Sequence, residues 1–279
     1  MTWARARRRA LGVAAALLAG VAASARGDEA GAEPNAPPSE FSFELRAAGF
    51  YGPVDGYVQV PAGGNPGSSS SRRPTLHELG IDDAVSYEID GRVWWGHLGF
   101  FAGYNALDMT GSSTLTQSLV SHNVLFPAGS PTKSTVDLDV PNFGAGWRFD
   151  FDDRRLELFP KINLVLLDFS YSLDAPGLHA SRSYTDFGVG LGAEARYRLP
   201  HGFSLEFDGV FPLPISHTAQ VANVTGRVAY SFLQSSPVRP TVFLGLGGRW
   251  INFKDSQTLP NHTSVSSGPL LTFGVAVDF

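Results

Sequence analysis

Side chains of alternating polarity run through most of this 279-residue chain, and its last ten residues, LLTFGVAVDF, show the pattern clearly. Leu271 and Phe273 fall on one face of an extended strand and Thr272 on the other, because successive side chains of a strand point to opposite sides. The same period of two recurs in ten segments, at residues 41–47, 87–95, 98–105, 136–151, 156–171, 184–199, 203–213, 222–232, 238–253 and 269–279. The 20 phenylalanines also favour strands. The sequence therefore predicts an all-β fold.

The connections between these segments alternate in length. Long connections are expected at residues 51–85, 110–134, 172–183, 212–221 and 254–267, and short ones near residues 96, 152–154, 200–202 and 234–237. Tight turns on one side and long loops on the other are typical of an antiparallel barrel that crosses a bilayer. We therefore predict a closed up-and-down transmembrane barrel of about ten strands, with eight or twelve as alternatives. An even number places both chain ends at the short turns.

The two faces of the strands indicate which side meets lipid. One face is continuously apolar, whereas the other carries two or three charges in several strands. Since a membrane barrel is apolar outside and polar inside, we expect the charges to form a network in the lumen. Its predicted members are Glu44, Arg46, Glu88, Asp90, Arg92, Glu194, Arg196, Arg198, Glu206, Asp208, Arg227 and Arg249.

Aromatic residues cluster at the ends of the segments and predict two interfacial rings. The ring near the short turns has Phe41, Trp95, Phe149, Phe151, Tyr197, Phe203, Phe232 and Phe279. The ring near the long loops has Tyr104, Phe169, Tyr171, Tyr184, Phe187, Phe211 and Trp250.

Two local features refine this picture. The alternation changes phase at Pro141 and Asn142, which predicts a β-bulge there. In the first long connection, Thr75 and Glu78 have the spacing of a capping box, and Gly80 follows two residues later. One turn of helix is therefore expected on the barrel mouth.

The first 25 residues have the features of a secretory signal peptide: four arginines, an apolar run over residues 11–23, and the small residues Ala23 and Ala25 at a cleavage-type end. Removing residues 1–25 takes away four arginines and no acid, so the formal net charge changes from −5 to −9. No basic tail for nucleic acid is present. We expect a flexible periplasmic linker at residues 26–40 and the barrel at residues 41–279.

The last segment, with Phe273, Val275, Val277 and Phe279 on one face, resembles the terminal strand of bacterial outer-membrane β-barrel proteins. In that family the final aromatic residue is read by the barrel-assembly machinery, so the resemblance implies that these four residues are an assembly signal. It also implies a Gram-negative outer membrane, with both termini in the periplasm and the long loops outside. The implied partners are periplasmic chaperones, the assembly machinery, membrane lipid and lipopolysaccharide; a monomer without cofactor is expected.

The strand number bears on function. About eight strands leave an interior filled by side chains, whereas about 16–18 leave an aqueous channel. Opposite charges in a ten-stranded barrel should pair and fill its middle, which predicts a structural or surface-interaction role with at most a narrow pore. A small-solute, porin-like channel is the alternative, because inward-facing Gly188, Gly190 and Gly192 could leave a cavity.

A third hypothesis is an outer-membrane hydrolase that modifies lipid or peptide. Some proteins of the resembled class are proteases, lipid A deacylases or phospholipases, and rim residues with suitable side chains are Ser216, His217, Asp108, Asp168 and Asp186. No motif of those enzymes matches residue by residue, so no catalytic residue is assigned. The long loops carry His77, His122, His179, His217 and His262. Their spacing is not that of paired metal ligands, and no metal is expected.

Overall fold

The computed structural model describes residues 41–59, 73–152, 154–233, 236–254 and 261–279. The expected signal peptide and linker lie outside the described residues. No helix among the described residues is long and apolar enough to span a membrane.

Thirteen strands make up the described fold. They are β1 (Phe41–Gln59), β2 (Asp83–Trp95), β3 (Leu98–Thr114), β4 (Leu119–Ser121), β5 (Val124–Phe126), β6 (Pro131–Trp147), β7 (Phe149–Phe151), β8 (Leu156–Ala175), β9 (Leu178–Arg198), β10 (Phe203–Pro212), β11 (Gln220–Ser231), β12 (Arg239–Lys254) and β13 (His262–Asp278). Two 3₁₀ turns, His77–Leu79 and Pro200–Gly202, complete the elements.

The main sheet closes on itself as a ten-stranded antiparallel barrel. Its order runs β6-β3-β2-β1-β13-β12-β11-β10-β9-β8, and β6 also pairs with β8, which closes the ring. The short strand β7 occupies the same place in the barrel wall as β6, because it pairs with β8 beyond the end of β6. Strands β4 and β5 form a separate hairpin inside the β3–β6 loop. The predicted ten-stranded barrel is confirmed.

The two ends of the barrel differ. At one end, named here the turn end, connections span residues 96–97, 152–155, 199–202 and 232–238; at the other, the loop end, they span residues 60–82, 115–130, 176–177, 213–219 and 255–261. The first two connections of the loop end are longer than every connection of the turn end. The predicted long loop at 172–183 is wrong. There β8 and β9 stay paired as far as Ala175 and Leu178, so only Pro176 and Gly177 connect them.

The long strands that extend into the loop half, such as β8, change the direction of their apolar face partway along. In β8 the even-numbered side chains point outward; they are apolar from Leu156 to Leu166 and polar from Asp168 to Asp174. The odd-numbered side chains point inward and change in the opposite sense, from Glu157 and Lys161 near the turn end to fully buried Leu167 nearer the loop end. The turn half of the barrel is therefore apolar outside, and the loop half is apolar inside.

This inversion replaces the β-bulge that the sequence predicted at Pro141 and Asn142. The pairing of β6 with β3 is continuous from Pro131 to Trp147, so no residue is inserted and the bulge prediction is wrong. Val140 points inward and Phe143 points outward simply because the surroundings of the wall change between them. Register shifts occur elsewhere, on β13 opposite Tyr51–Val54 of β1 and opposite Gly247–Arg249 of β12.

The loop half encloses an apolar core to which both strands and loops contribute. Its fully buried side chains include Leu76, Leu79, Ile81, Leu107, Met109, Leu119, Phe126, Leu138, Leu167, Phe169, Leu173 and Ile251. The predicted capping box is confirmed: the Thr75 amide donates to Glu78 Oε2 at 2.9 Å and the Glu78 amide donates to Thr75 Oγ1 at 3.1 Å. It orders the 3₁₀ turn that seats Leu76 and Leu79 on this core.

The aromatic residues divide according to the same inversion. Those predicted for the turn-end ring point outward, as shown by Phe41 and Trp95, which are 62% and 60% exposed. In the ring predicted near the long loops, Phe187 and Phe211 are exposed as predicted. Three members of that ring were assigned to the wrong side, because they pack in the interior core: Phe169, Tyr171 and Tyr184.

Candidate functional site

Ion pairs fill the interior of the turn half. Alternation on β1 places Glu44 and Arg46 on the same inward face, where Arg46 donates to Glu44 at 2.9 Å. Arg196 of β9 reaches the other oxygen of Glu44 at 3.0 Å and also Glu206 at 3.0 Å. Arg46 closes the cycle by approaching Glu206 at 3.3 Å. Two arginines and two glutamates thus bridge β1, β9 and β10 across the lumen.

A second group of charges is centred on Lys161, which the sequence analysis did not include in the network. Its Nζ donates to Glu194 and to Asp208, both at 2.5 Å. Arg92 of β2 also bonds Glu194. Lys161 shares the odd-numbered inward face of β8 with Glu157, so the alternation itself could have assigned it to the lumen.

A third group lies nearer to the apolar core. Arg249 donates to Asn105 Oδ1 at 2.6 Å and to Ser86 Oγ at 3.1 Å, and it lies 3.5 Å from Glu88. Arg227 lies 4.0 Å from the same glutamate. A cavity of about 30 Å³ adjoins this group, which is room for an ordered water.

Asp90 and Arg198 are the remaining members of the predicted network. Asp90 lies between Glu88 and Arg92 on the inward face of β2 and faces Gly103, where any added Cβ would lie 2.1 Å from its Oδ1. Arg198 lies at the turn end, where it pairs with Glu157 at 2.8 Å while 40% of its side chain stays exposed. All twelve predicted residues thus occupy inward-facing positions of their strands, and Arg198 lies at the turn-end margin.

Burial makes this network costly to break. Removing one partner of a buried pair leaves an uncompensated charge, which costs about 3–5 kcal/mol. The side chains of Arg46 and Glu44 are each only 4% exposed. The network therefore fixes the strands relative to one another across the lumen.

Between this network and the turn end lies a cavity of about 460 Å³, named here the vestibule. Its lining extends from the 3₁₀ turn Pro200–Gly202 to the ion pairs of Arg46 and Arg92. Trp94 and Phe159 form part of its wall, with ring centroids 4.6 Å apart in an edge-to-face arrangement. The vestibule is thus lined by both charged and aromatic side chains.

The apolar face of the last strand, which the sequence predicts to be an assembly signal, is exposed on the outside of the barrel. Phe273 and Val275 point outward and are 57% and 52% exposed. Val277 continues this face. The ring of Phe279 packs against that of Phe43, with the ring centroids 5.8 Å apart. The amide of Phe279 also donates to the carbonyl of Phe43 at 2.8 Å.

The candidate hydrolytic residues are not brought together. Ser216 and His217 lie in the turn between β10 and β11. Asp108 and Asp168 lie on the outer faces of β3 and β8, and Asp186 lies on the inner face of β9.

The loop histidines bind separate partners. His77 bonds Asp82 at 2.6 Å and His179 bonds Asp174 at 2.6 Å. Across the described residues, no group of three or more His, Cys, Asp or Glu side chains is arranged to hold a metal ion.

The outer surface determines the class of the protein. On β8 the apolar band spans ten residue steps, about 33 Å along the strand at about 3.3 Å per step, which a tilt of about 40° reduces to a height of about 25 Å. A closed antiparallel barrel with such a band outside and ion pairs inside is the architecture of bacterial outer-membrane β-barrel proteins. The chain has this fold.

Comparisons with solved structures find barrels of varied roles. The chain is similar to Ail, the attachment invasion locus protein of Yersinia pestis, crystallised with the heparin analogue sucrose octasulfate, at 7% identity and a TM-score of 0.38 over 86% of this chain and 100% of Ail. It is similar to the outer-membrane protease OmpT of Escherichia coli at 9% identity and a TM-score of 0.41, over 88% and 100% of the two chains. Neisserial surface protein A matches at 15% identity and a TM-score of 0.34, over 86% and 98%. No protein-family model and no curated protein sequence matches the chain.

Proposed function

We propose that this protein is a monomeric integral barrel of a Gram-negative outer membrane that presents a rigid surface for interaction and does not conduct solutes. In this proposal the turn end faces the periplasm and the loop end faces outward. Membrane lipid and lipopolysaccharide surround the apolar band. The face with Phe273, Val275, Val277 and Phe279 is the signal read by the assembly machinery after periplasmic chaperones deliver the chain.

The observation that carries this proposal is the double closure of the lumen. The ion pairs of Glu44, Arg46 and Arg196 cross the barrel in the turn half. Beyond them the apolar core crosses it again, with Leu138 and Phe169 at 0% exposure. A channel needs a hydrated path through both layers, and a charged ion crossing the apolar layer would lose its solvation.

The form of the loop half supports a surface role. On β8 the strand continues nine residue steps beyond Leu166, to Ala175, which is about 30 Å along the strand at about 3.3 Å per step. The loops there are anchored, since Leu79 of the 3₁₀ turn and Phe126 of the β4–β5 hairpin are 0% exposed. A surface that is already ordered loses less conformational entropy when it binds a partner. The extended loop half thus forms a rigid platform above the lipid.

Conductance in planar bilayers tests the closure. The wild-type protein is expected to give no stable open-channel steps. Because the two layers act in series, Arg46→Ala, which opens the charged layer, and Phe169→Gly, which opens the apolar layer, should each remain silent. Steady steps from the wild-type protein would refute the closed barrel and favour the small-solute channel. Steps from either single variant would show that only one layer seals the lumen.

Cysteine labelling tests the orientation, because the chain has no native cysteine. Gly177 in the β8–β9 turn and Gly96 in the β2–β3 turn form a matched pair. Both have positive φ, and an added Cβ at either has no neighbour within 4 Å. In intact Gram-negative cells, a membrane-impermeant maleimide should label Gly177→Cys, and it should label Gly96→Cys only after the envelope is permeabilised. The reverse pattern would overturn the proposed orientation.

A further inference from the structure

Arg227 lies at the inner end of the vestibule without a carboxylate of its own. Its cross-strand neighbours are Glu206 on β10 and Gly245 on β12. Glu206 is already bound by Arg196 at 3.0 Å and by Arg46 at 3.3 Å. Gly245 offers no side chain. The geometry of the strands therefore leaves the Arg227 guanidinium without a direct partner on either side.

The guanidinium is nevertheless buried. The Arg227 side chain is 4% exposed, and among the described residues the carboxylate within 4.0 Å is that of Glu88, at 4.0 Å, which is too long for a hydrogen bond. Its Nε has no hydrogen-bond partner. Arginine cannot relieve this situation by losing its proton. A buried cation of this kind requires an anion.

A second cation lies close to Arg227. The guanidinium carbons of Arg227 and Arg46 lie 5.2 Å and 5.8 Å from the centroid of the same Phe243 ring. The Nε of Arg46 also lacks a hydrogen-bond partner. Two like charges beside one ring repel each other, and more strongly where water is excluded. An anion bound in the vestibule beside Arg227 and Arg46 would offset this repulsion.

The vestibule is large enough to admit such a ligand. Its volume of about 460 Å³ lies within the range of about 300–1,000 Å³ that is typical of small-molecule sites. Seven arginines and six carboxylates line it, and it opens at the turn end. Trp94 and Phe159 provide an apolar wall for the part of a ligand that carries no charge.

We propose that the vestibule binds a small molecule bearing a phosphate or carboxylate group, whose oxygens accept hydrogen bonds from the Arg227 guanidinium. The planar fork of arginine fits either oxyanion with two parallel hydrogen bonds. The ligand enters from the turn end, opposite the proposed interaction surface. The site does not depend on whether that surface has a partner or whether the lumen is closed.

Isothermal titration calorimetry of the full-length mature protein in detergent micelles tests this site, with inorganic phosphate and sodium acetate as separate probes at constant ionic strength. At least one probe should bind saturably to the wild-type protein, and the probe that binds distinguishes phosphate from carboxylate ligands. Arg227→Gln should weaken that binding about tenfold or more, because charge-assisted hydrogen bonds are lost. Arg182→Gln is the matched control: Arg182 also has a buried, unpartnered Nε, but it does not line the vestibule, so the affinity should stay unchanged.

The absence of saturable binding of both probes to the wild-type protein would overturn the proposal. An unchanged affinity in Arg227→Gln would also overturn it. If Arg227→Gln does not fold, Arg227→Lys replaces it; this variant keeps the charge but loses the fork, and its affinity should fall while it remains measurable. Equal affinities of the lysine variant and the wild-type protein would reject recognition by the arginine fork.

Discussion

The inversion of polarity along the long β8–β9 hairpin predicts that the same charged substitution has different costs at two outward-facing positions. Ile162 of β8 points outward and is 56% exposed. It lies six residue steps from Leu156 and four from Leu166, the two ends of the apolar band on that strand. At about 3.3 Å per step and a tilt of about 40°, it is about 15 Å and about 10 Å from the two boundaries. Ser181 of β9 also points outward, but beyond the band.

We expect Ile162→Arg to destabilise the barrel by about 2–4 kcal/mol, since a charge near the bilayer midplane must leave water or deform the membrane. Ser181→Arg should cost about 0–1 kcal/mol, because its guanidinium stays in water. Both residues lie on the same β8–β9 hairpin, and neither points into the interior. The difference of about 1–4 kcal/mol therefore measures the surroundings of the outer wall rather than packing.

Reversible urea unfolding in phospholipid vesicles, followed by tryptophan fluorescence, measures both free energies of unfolding. Heat-modifiable migration in gels confirms that each variant has folded. Equal costs at the two positions would refute our reasoning, because the switch from apolar to polar side chains on β8 would then not mark the edge of the lipid. A larger cost for Ser181→Arg would reverse the placement of the barrel in the membrane.

Two further predictions follow from local geometry. Gly144→Ala should lower the free energy of unfolding by about 1–3 kcal/mol, because its Cβ would lie 2.0 Å from the Ile162 carbonyl oxygen, whereas Gly226→Ala meets nothing within 4 Å and should leave it unchanged or slightly raised; equal losses in urea titrations would contradict this. The hydrogen bond that His77 donates to Asp82, together with the negative charge of Asp82, raises the pKa of His77 above its ordinary value. The stability that this contact contributes is therefore fully present below the unfolded-state pKa of His77, and it is lost as pH rises through the folded-state pKa. Asp82→Asn should lower the His77 midpoint in a ¹H–¹⁵N NMR titration, and an unchanged midpoint would contradict the assignment.

Much of the fold follows from local pattern. Alternation in ten segments, together with the expected lengths of the connections between them, was enough to predict ten antiparallel strands. The capping box at Thr75 and Glu78 was also recognisable, because it depends on side-chain chemistry three residues apart. These features are set by neighbours in sequence, so they can be read without knowledge of the tertiary structure.

The sequence did not reveal where the surroundings of the wall change. A period of two shows that Val140 and Phe143 lie on opposite faces but not which face meets water, so the change of phase was interpreted as a bulge. Phe169 was placed outside for the same reason. Lys161 was missed although its alternation with the apolar Pro160 and Ile162 places it in the inward series.

The inversion has a common physical cause in the two solvents outside the wall. Where lipid surrounds the barrel, turning Leu164 inward would gain little, since hydrocarbon outside is as apolar as a core; polar groups must turn inward, and ion pairs such as Arg196 with Glu206 hold the interior. Where water surrounds the barrel, burial of apolar surface is worth about 25 cal/mol per Å², so Leu167 and Phe169 turn inward. One continuous strand thus directs its apolar side chains outward where lipid surrounds the barrel and inward where water surrounds it. The ion pairs inside the turn half and the apolar core inside the loop half are both consequences of that change.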